Sequence, residues 1–129
     1  MPTSWNRILG VHEQALNLYA RRARLLAENL ANADTPHYKA RDIDFRQALA
    51  AAGGGGPLKT SHARHLQPDA ARAGGEPLYR VPLQPSLDGN TVETQFEKSE
   101  FMENALRYQA TLRFLNGTFR GLKTALRGE

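Results

Sequence analysis

The first third of the chain carries a seam at Trp5, Leu9, His12, Leu16, Tyr19, Ala23, Leu26, Leu30 and Ala33, spaced by four and three residues in unbroken alternation. That spacing is one face of a helix with a 3.5-residue repeat. Ile8, Val11, Ala15, Leu18 and Leu25 widen the apolar face beyond a two-stranded seam, which suits a bundle of several helices. Thr3 or Ser4 can cap the start. Asp34-Thr35-Pro36 ends the helix, because a residue before proline is pushed out of the α region. The expected element is a rod over residues 1–33, about 45 Å long.

The last third repeats the pattern at Phe101, Ala105, Tyr108, Leu112, Leu115, Phe119, Leu122 and Leu126, with Phe96, Met102 and Leu106 widening it. Asp88-Gly89-Asn90 reads as a turn feeding this second helix, with Asn90 as N-cap and Glu93 completing a capping box. The expected helix covers 90–129, with fraying near Gly117 and Gly121, since each glycine costs about 1 kcal/mol in a helix interior.

Between the helices, residues 34–89 hold six of the seven prolines and seven of the eleven glycines. Asp42 to Ala52 is expected to begin extended and finish as a short helical turn. Gly53 to Pro57 has the composition of a flexible linker. Leu78 to Leu83 alternates like a short edge strand, from which Pro82 bars a central place. The fold class is therefore mainly α: long N- and C-terminal heptad helices forming a coiled coil or bundle on assembly, around a loop-rich middle with at most short β segments. The two helices form one discontinuous inner domain. Their seam side chains return too little to order about 65 helical residues as a bare hairpin. Full order is expected to come with partners.

Composition narrows the picture. Without cysteine there is no disulfide, CxxC or thiolate metal site. The N-terminal stretch lacks the unbroken apolar run and small-residue cleavage site of a secretory signal, and no stretch is long and apolar enough for a membrane span. A net charge of +4 with interspersed acids permits contact with nucleic acid or acidic lipid but does not argue for it.

Candidate chemistry is sparse. His62 and His65 form an H-x-x-H pair, with His37 in the same loop-rich region, but no third ligand accompanies them, so solvated loop histidines are the expectation. His12 on the seam reads as a core or interface histidine. The four-glycine run lacks the Lys-Ser/Thr of a phosphate-binding loop. Asp42, Asp44, Glu97, Glu100 and Glu103 accompany no nucleophile and read as a solvated surface. Arg21, Arg22 and Arg24 lack the aromatic interleaving of a nucleic-acid reader and read as a solvated or salt-bridged face. No catalytic, cofactor or metal residues are expected.

One segment resists a local account. Asn29 lies a full turn inside the first helix, where asparagine is a poor helix former, so its amide is expected to bond to backbone or to a neighbouring subunit. Asn29-Leu30-Ala31-Asn32-Ala33-Asp34-Thr35-Pro36-His37-Tyr38-Lys39 resembles the hallmark of the bacterial flagellar basal-body rod proteins, Asn-hydrophobic-Ala-Asn-x-x-Thr-Pro-Gly-Tyr-Lys. Ala40 to Phe45, Asp88 to Glu93 and Glu103 to Ala110 resemble the proximal rod member of that family more than the others. The short length also fits. The family motif thus falls on Asn29, Asn32, Thr35, Pro36, Tyr38 and Lys39, with His37 in place of the usual glycine.

The resemblance implies a structural subunit whose terminal helices pack into the inner layer of a rod around an export channel. The implied interface residues are Trp5, Leu9, Leu16, Tyr19, Leu26, Leu30, Phe101, Tyr108, Leu112, Leu115, Phe119, Leu122 and Leu126. The implied partners are copies of the chain, other rod and membrane-ring or adaptor proteins, and the flagellar type III export apparatus, with no nucleic acid. The implied location is the periplasmic rod, reached from the cytoplasm without a cleaved signal. Phe45 and Leu49, spaced as Phe-x-x-x-hydrophobic, form a candidate export-gate motif, against the alternative of a packing turn. Two other functions fit the pattern alone: a cytoplasmic coiled-coil adaptor or secretion chaperone, and a small basic nucleic-acid-binding protein.

Overall fold

The computed structural model describes residues 5–53 and 75–128. In chain order these form α1 (Trp5–Ala31), β1 (Arg41–Asp42), α2 (Phe45–Gly53), β2 (Leu78–Tyr79) and α3 (Thr94–Arg127). The mainly helical class and the loop-rich middle are as the hydrophobic pattern predicts. Helix α3 runs back antiparallel along α1, because Asn29 meets Glu97, Arg22 meets Glu100, and Tyr19 meets Asn104.

Helix α1 stops at Ala31, two residues short of the expected boundary. The Asn32 N–H still reaches the carbonyls of Glu28 and Asn29, and a turn then closes from Thr35 N–H to Asn32 O. The start of α3 needs a larger correction. The capping box does not form: the helix begins at Thr94, Glu93 occupies the N-cap position in an extended conformation, and no side chain caps it. Glu93 instead turns its Oε1 to the N–H groups of Leu83 and Gln84, and Asn90 has a different partner, described below. Gly117 and Gly121 do not fray the helix, which continues to Arg127 and ends on Gly128 in the left-handed region (φ 73°), its N–H on the Thr124 carbonyl.

Strands β1 and β2 pair antiparallel, Arg41 opposite Tyr79 and Asp42 opposite Leu78. The ladder is two residues long, and Pro82 lies beyond it. Helix α2 folds back on α1. Leu18, Ile43 and Ala48 form the centre of a small core, with Leu25, Phe45 and Leu49 packed around it. Leu26 is fully buried, and the Tyr19 and Phe45 rings stack 4.2 Å apart at 16°. The apolar core thus lies between α1, β1 and α2, whereas α3 approaches α1 through polar groups and leaves most of its apolar side chains uncovered.

Candidate functional site

The motif helix exit is built around Asn29, whose side chain is fully buried. Its Nδ2 donates to Arg41 O at 2.8 Å and its Oδ1 accepts Arg41 N–H at 3.1 Å, so one amide satisfies both backbone groups of the residue that opens β1. Tyr38 Oη–H reaches the same Oδ1 at 3.5 Å, and Nδ2 also reaches Glu97 Oε2 at 3.2 Å. The bonding is intramolecular, which explains an asparagine where helix propensity argues against one. Asn32 secures the last turn by donating to Glu28 O at 2.8 Å and accepting Thr35 Oγ1–H at 3.2 Å.

The second family-like segment docks on this exit. Asn90 is buried, and its Nδ2 faces the carbonyls of Asn32, Ala33 and Thr35 at 2.7–3.0 Å. Asn90 therefore caps the C-terminus of α1 and not the N-terminus of α3. That role was missed because it depends on a contact 55 or more residues away. His37 N–H donates to Asp88 O, Thr91 N–H donates to Tyr38 O, Ala40 N–H donates to Thr91 Oγ1, and Lys39 Nζ donates to Gly89 O. His37 takes φ 62°, so the position that is glycine in the family hallmark does need the left-handed region. Gly89 faces it at φ 73°, and a Cβ there would sit 2.9 Å from His37 Nδ1.

Below this clamp, a charged network joins α1, β1, α3 and the residue that follows β2. Arg22 of α1 makes two bonds of 2.8 Å to Asp42 and one of 2.5 Å to Glu100. Arg80, just after β2, pairs with Asp42 at 2.6 Å and with Glu97, and lies over the Phe96 ring at 4.7 Å. Burial pushes the Asp42 carboxyl up, but the hydrogen bonds and charge of Arg22, with help from Ile43 N–H and Arg80, hold it below the usual range. Glu97 is fully buried; burial outweighs Asn29 and the Arg80 charge, and Asp42 and Glu100 repel it, so its carboxyl titrates above the usual range. The solvated surface expected at Asp42, Glu97 and Glu100 is thus corrected to an internal network, and Arg22 is salt-bridged. Glu97 had a sequence signal: it falls four residues before Phe101, in seam register.

The expected interface residues divide. Tyr19 and Leu26 are buried within the chain itself and hold the subunit's own fold. Leu9, Leu16, Leu30, Leu115 and Leu122 are half-buried. Phe101, Tyr108, Leu112, Phe119 and Leu126 are exposed, Leu126 to 82%. The Trp5 side chain lies outside the described part. Phe45 and Leu49 sit in the α2–α1 packing, partly buried. His62, His65 and the linker residues after Gly53 lie outside the described residues, among which no group of three or more His, Asp and Glu could hold a metal ion. No described helix is long and apolar enough to cross a membrane.

No family model matches the chain. It is 56% identical over 127 residues to the flagellar basal body rod protein FlgB of Cereibacter sphaeroides, covering 98% of this chain and 99% of that protein. It is 48% identical over 134 residues to FlgB of Aeromonas hydrophila, covering 100% and 99%. With FlgB of Salmonella typhimurium it shares 42% identity over 128 residues, 93% of each chain. Identity of this extent, over almost the whole length, leaves the adaptor, chaperone and nucleic-acid readings without support: the chain belongs to the FlgB family of flagellar basal body rod proteins.

Proposed function

We propose that this structural rod subunit occupies the proximal rod, joining the membrane ring and export gate to the rest of the axial structure. The observation that carries the reading is the open seam of α3. Phe101, Tyr108, Leu112, Phe119 and Leu126 face solvent in the single chain, and a heptad face of that length is stable in water only when covered. Neighbouring subunits, both copies of this chain and other rod or adaptor proteins, supply the cover along α3 and the half-buried positions Leu9, Leu16 and Leu30 of α1. The Asn29–Asn90 clamp fixes the angle at which the middle segment leaves the helix pair. Leu112→Asp is expected to abolish swimming by blocking incorporation while the protein is still made; normal swimming would remove the seam assignment.

The chain reaches the rod through the flagellar type III export apparatus, in an unfolded form. Phe45 and Leu49 support this as a signal displayed before folding, since in the folded chain Phe45 stacks on Tyr19 and Leu49 packs on the core. Phe45→Ala is expected to reduce secretion itself. Unchanged secretion with impaired assembly would leave Phe45 a packing residue only.

A further inference from the structure

We infer that the charged network between α3 and the β1–β2 ribbon is a proton-sensitive latch: with one proton on it α3 stays docked along α1, and when that proton leaves, a buried surplus of negative charge loosens α3. The inference concerns the single chain and stands apart from the rod-subunit reading. Side chains of α3 hydrogen-bond to α1 at three successive turns, through Glu97, Glu100 and Asn104. Beyond Asn104 no α3 side chain bonds to another element among the described residues. Two of the three fastenings are therefore acids, and their charge state decides how firmly the helix is held.

The acids of the network outnumber its cations. Three carboxylates, Asp42, Glu97 and Glu100, share two guanidiniums, Arg22 and Arg80. Neighbouring charges are engaged elsewhere. Arg41 of β1 turns its guanidinium to Glu28 at 3.5 Å, and Glu93, one turn before Glu97, accepts the N–H groups of Leu83 and Gln84. Tyr38 brings only its hydroxyl, to Asn29 Oδ1, and α2 brings no ion pair among the described residues. With every acid ionised the network holds one negative charge too many, and a buried charge without a partner is costly.

Glu97 is the acid that takes the proton. Its side chain is fully buried, whereas Asp42 and Glu100 keep 19% and 20% of theirs exposed. Asp42 receives three bonds from two guanidiniums. Glu97 receives one guanidinium, that of Arg80, and the Asn29 amide at 3.2 Å. In keeping with this, its carboxyl titrates above the usual range, chiefly through burial, with the charges of Asp42 and Glu100 adding to it. The docking that Glu97 supplies is thus full below the ordinary value of 4.5 and lost as pH rises through the folded-state value. Asp42, which burial pushes up and Arg22 holds below the usual range, stays ionised throughout.

The test measures the separation of the two helices in the full chain. The chain contains no cysteine, so Arg24→Cys with Ser99→Cys places nitroxide labels only on exposed positions of α1 and α3. The distance distribution between them is read by electron paramagnetic resonance. It is expected to be narrow at pH 4.5 and at least twice as wide at pH 8. Glu97→Gln, which removes the titrating group, should keep it narrow at both. Glu100→Gln should do the same, because it removes the surplus charge and leaves the bonds of Glu97 in place; it also serves should Glu97→Gln fail to fold by circular dichroism. The four histidines titrate in the same window, His12 among them on the α1 seam. Broadening that persists in Glu97→Gln would assign the effect to them and overturn the inference. Equal widths at the two pH values in the otherwise unaltered chain, or broadening undiminished in Glu100→Gln, would overturn it too.

Discussion

Asn29 illustrates how much one amide can hold in place. It satisfies Arg41 N–H and C=O and touches Glu97, all away from solvent. Asn29→Ala leaves those groups unpaired and is expected to destabilise the folded chain by about 2–3 kcal/mol, read as a lowered urea midpoint in sulfate-containing buffer, which favours burial. An unchanged midpoint would mean that water replaces the amide without cost. Histidine at position 37 sits at φ 62°, so His37→Gly is expected to raise stability by about 1 kcal/mol, read as a higher midpoint. Gly89→Ala should lower it, since the added Cβ meets His37 in a left-handed backbone. The charges give a pH signature. Asp42 has a lowered folded-state pKa, so its contribution is present above the unfolded value and lost as pH falls through the folded one. Glu97 runs the other way: its pKa is raised, so its contribution is full below the unfolded value and lost as pH rises through the folded one. Asp42→Asn is accordingly expected to cost about 3 kcal/mol near neutrality and to shrink in effect toward pH 3. A constant effect across that range would place Asp42 outside the titrating network.

Among the elements, the two long helices were the most legible, because a heptad repeat sustained over several turns survives any tertiary context. Their boundaries were less so. A local capping rule starts α3 at Asn90, but Asn90 has better acceptors in the carbonyls left open at the end of α1. No local pattern encodes that competition. The network of Arg22, Asp42, Arg80 and Glu97 was hidden for the same reason: its members lie on separate elements that meet only after the chain folds back. Glu97 in seam register was the one sign of it. The structure also separates seam positions that the sequence treats alike. Leu26→Asp, at a fully buried site, is expected to abolish the fold and lower the amount of protein. Leu112→Asp should leave circular dichroism of the isolated chain unchanged and affect assembly alone. Equal loss of folded protein in both would show that α3 packs within the subunit more completely than its exposure implies.

For the whole molecule, the core centred on Leu18, Ile43 and Ala48 is small, and α3 is joined to α1 mainly by ion pairs and amides while its apolar side chains stay uncovered. Such a subunit is expected to be partly ordered when dilute and to gain helicity when neighbours cover α3. A sharp, concentration-independent melt of a proven monomer would argue against this. The same marginal order suits the unfolded export proposed above, in which Phe45 and Leu49 would be hidden only after folding. The central claim is that α1 and α3 together form part of the inner wall of the rod. The most direct measurement is a density map of intact basal bodies purified from the source organism. The account predicts this chain in the proximal rod, with both α1 and α3 in the layer that lines the channel and a neighbouring helix against Tyr108, Leu112 and Phe119. Density placing those residues on the outer surface, without a neighbour, would contradict it.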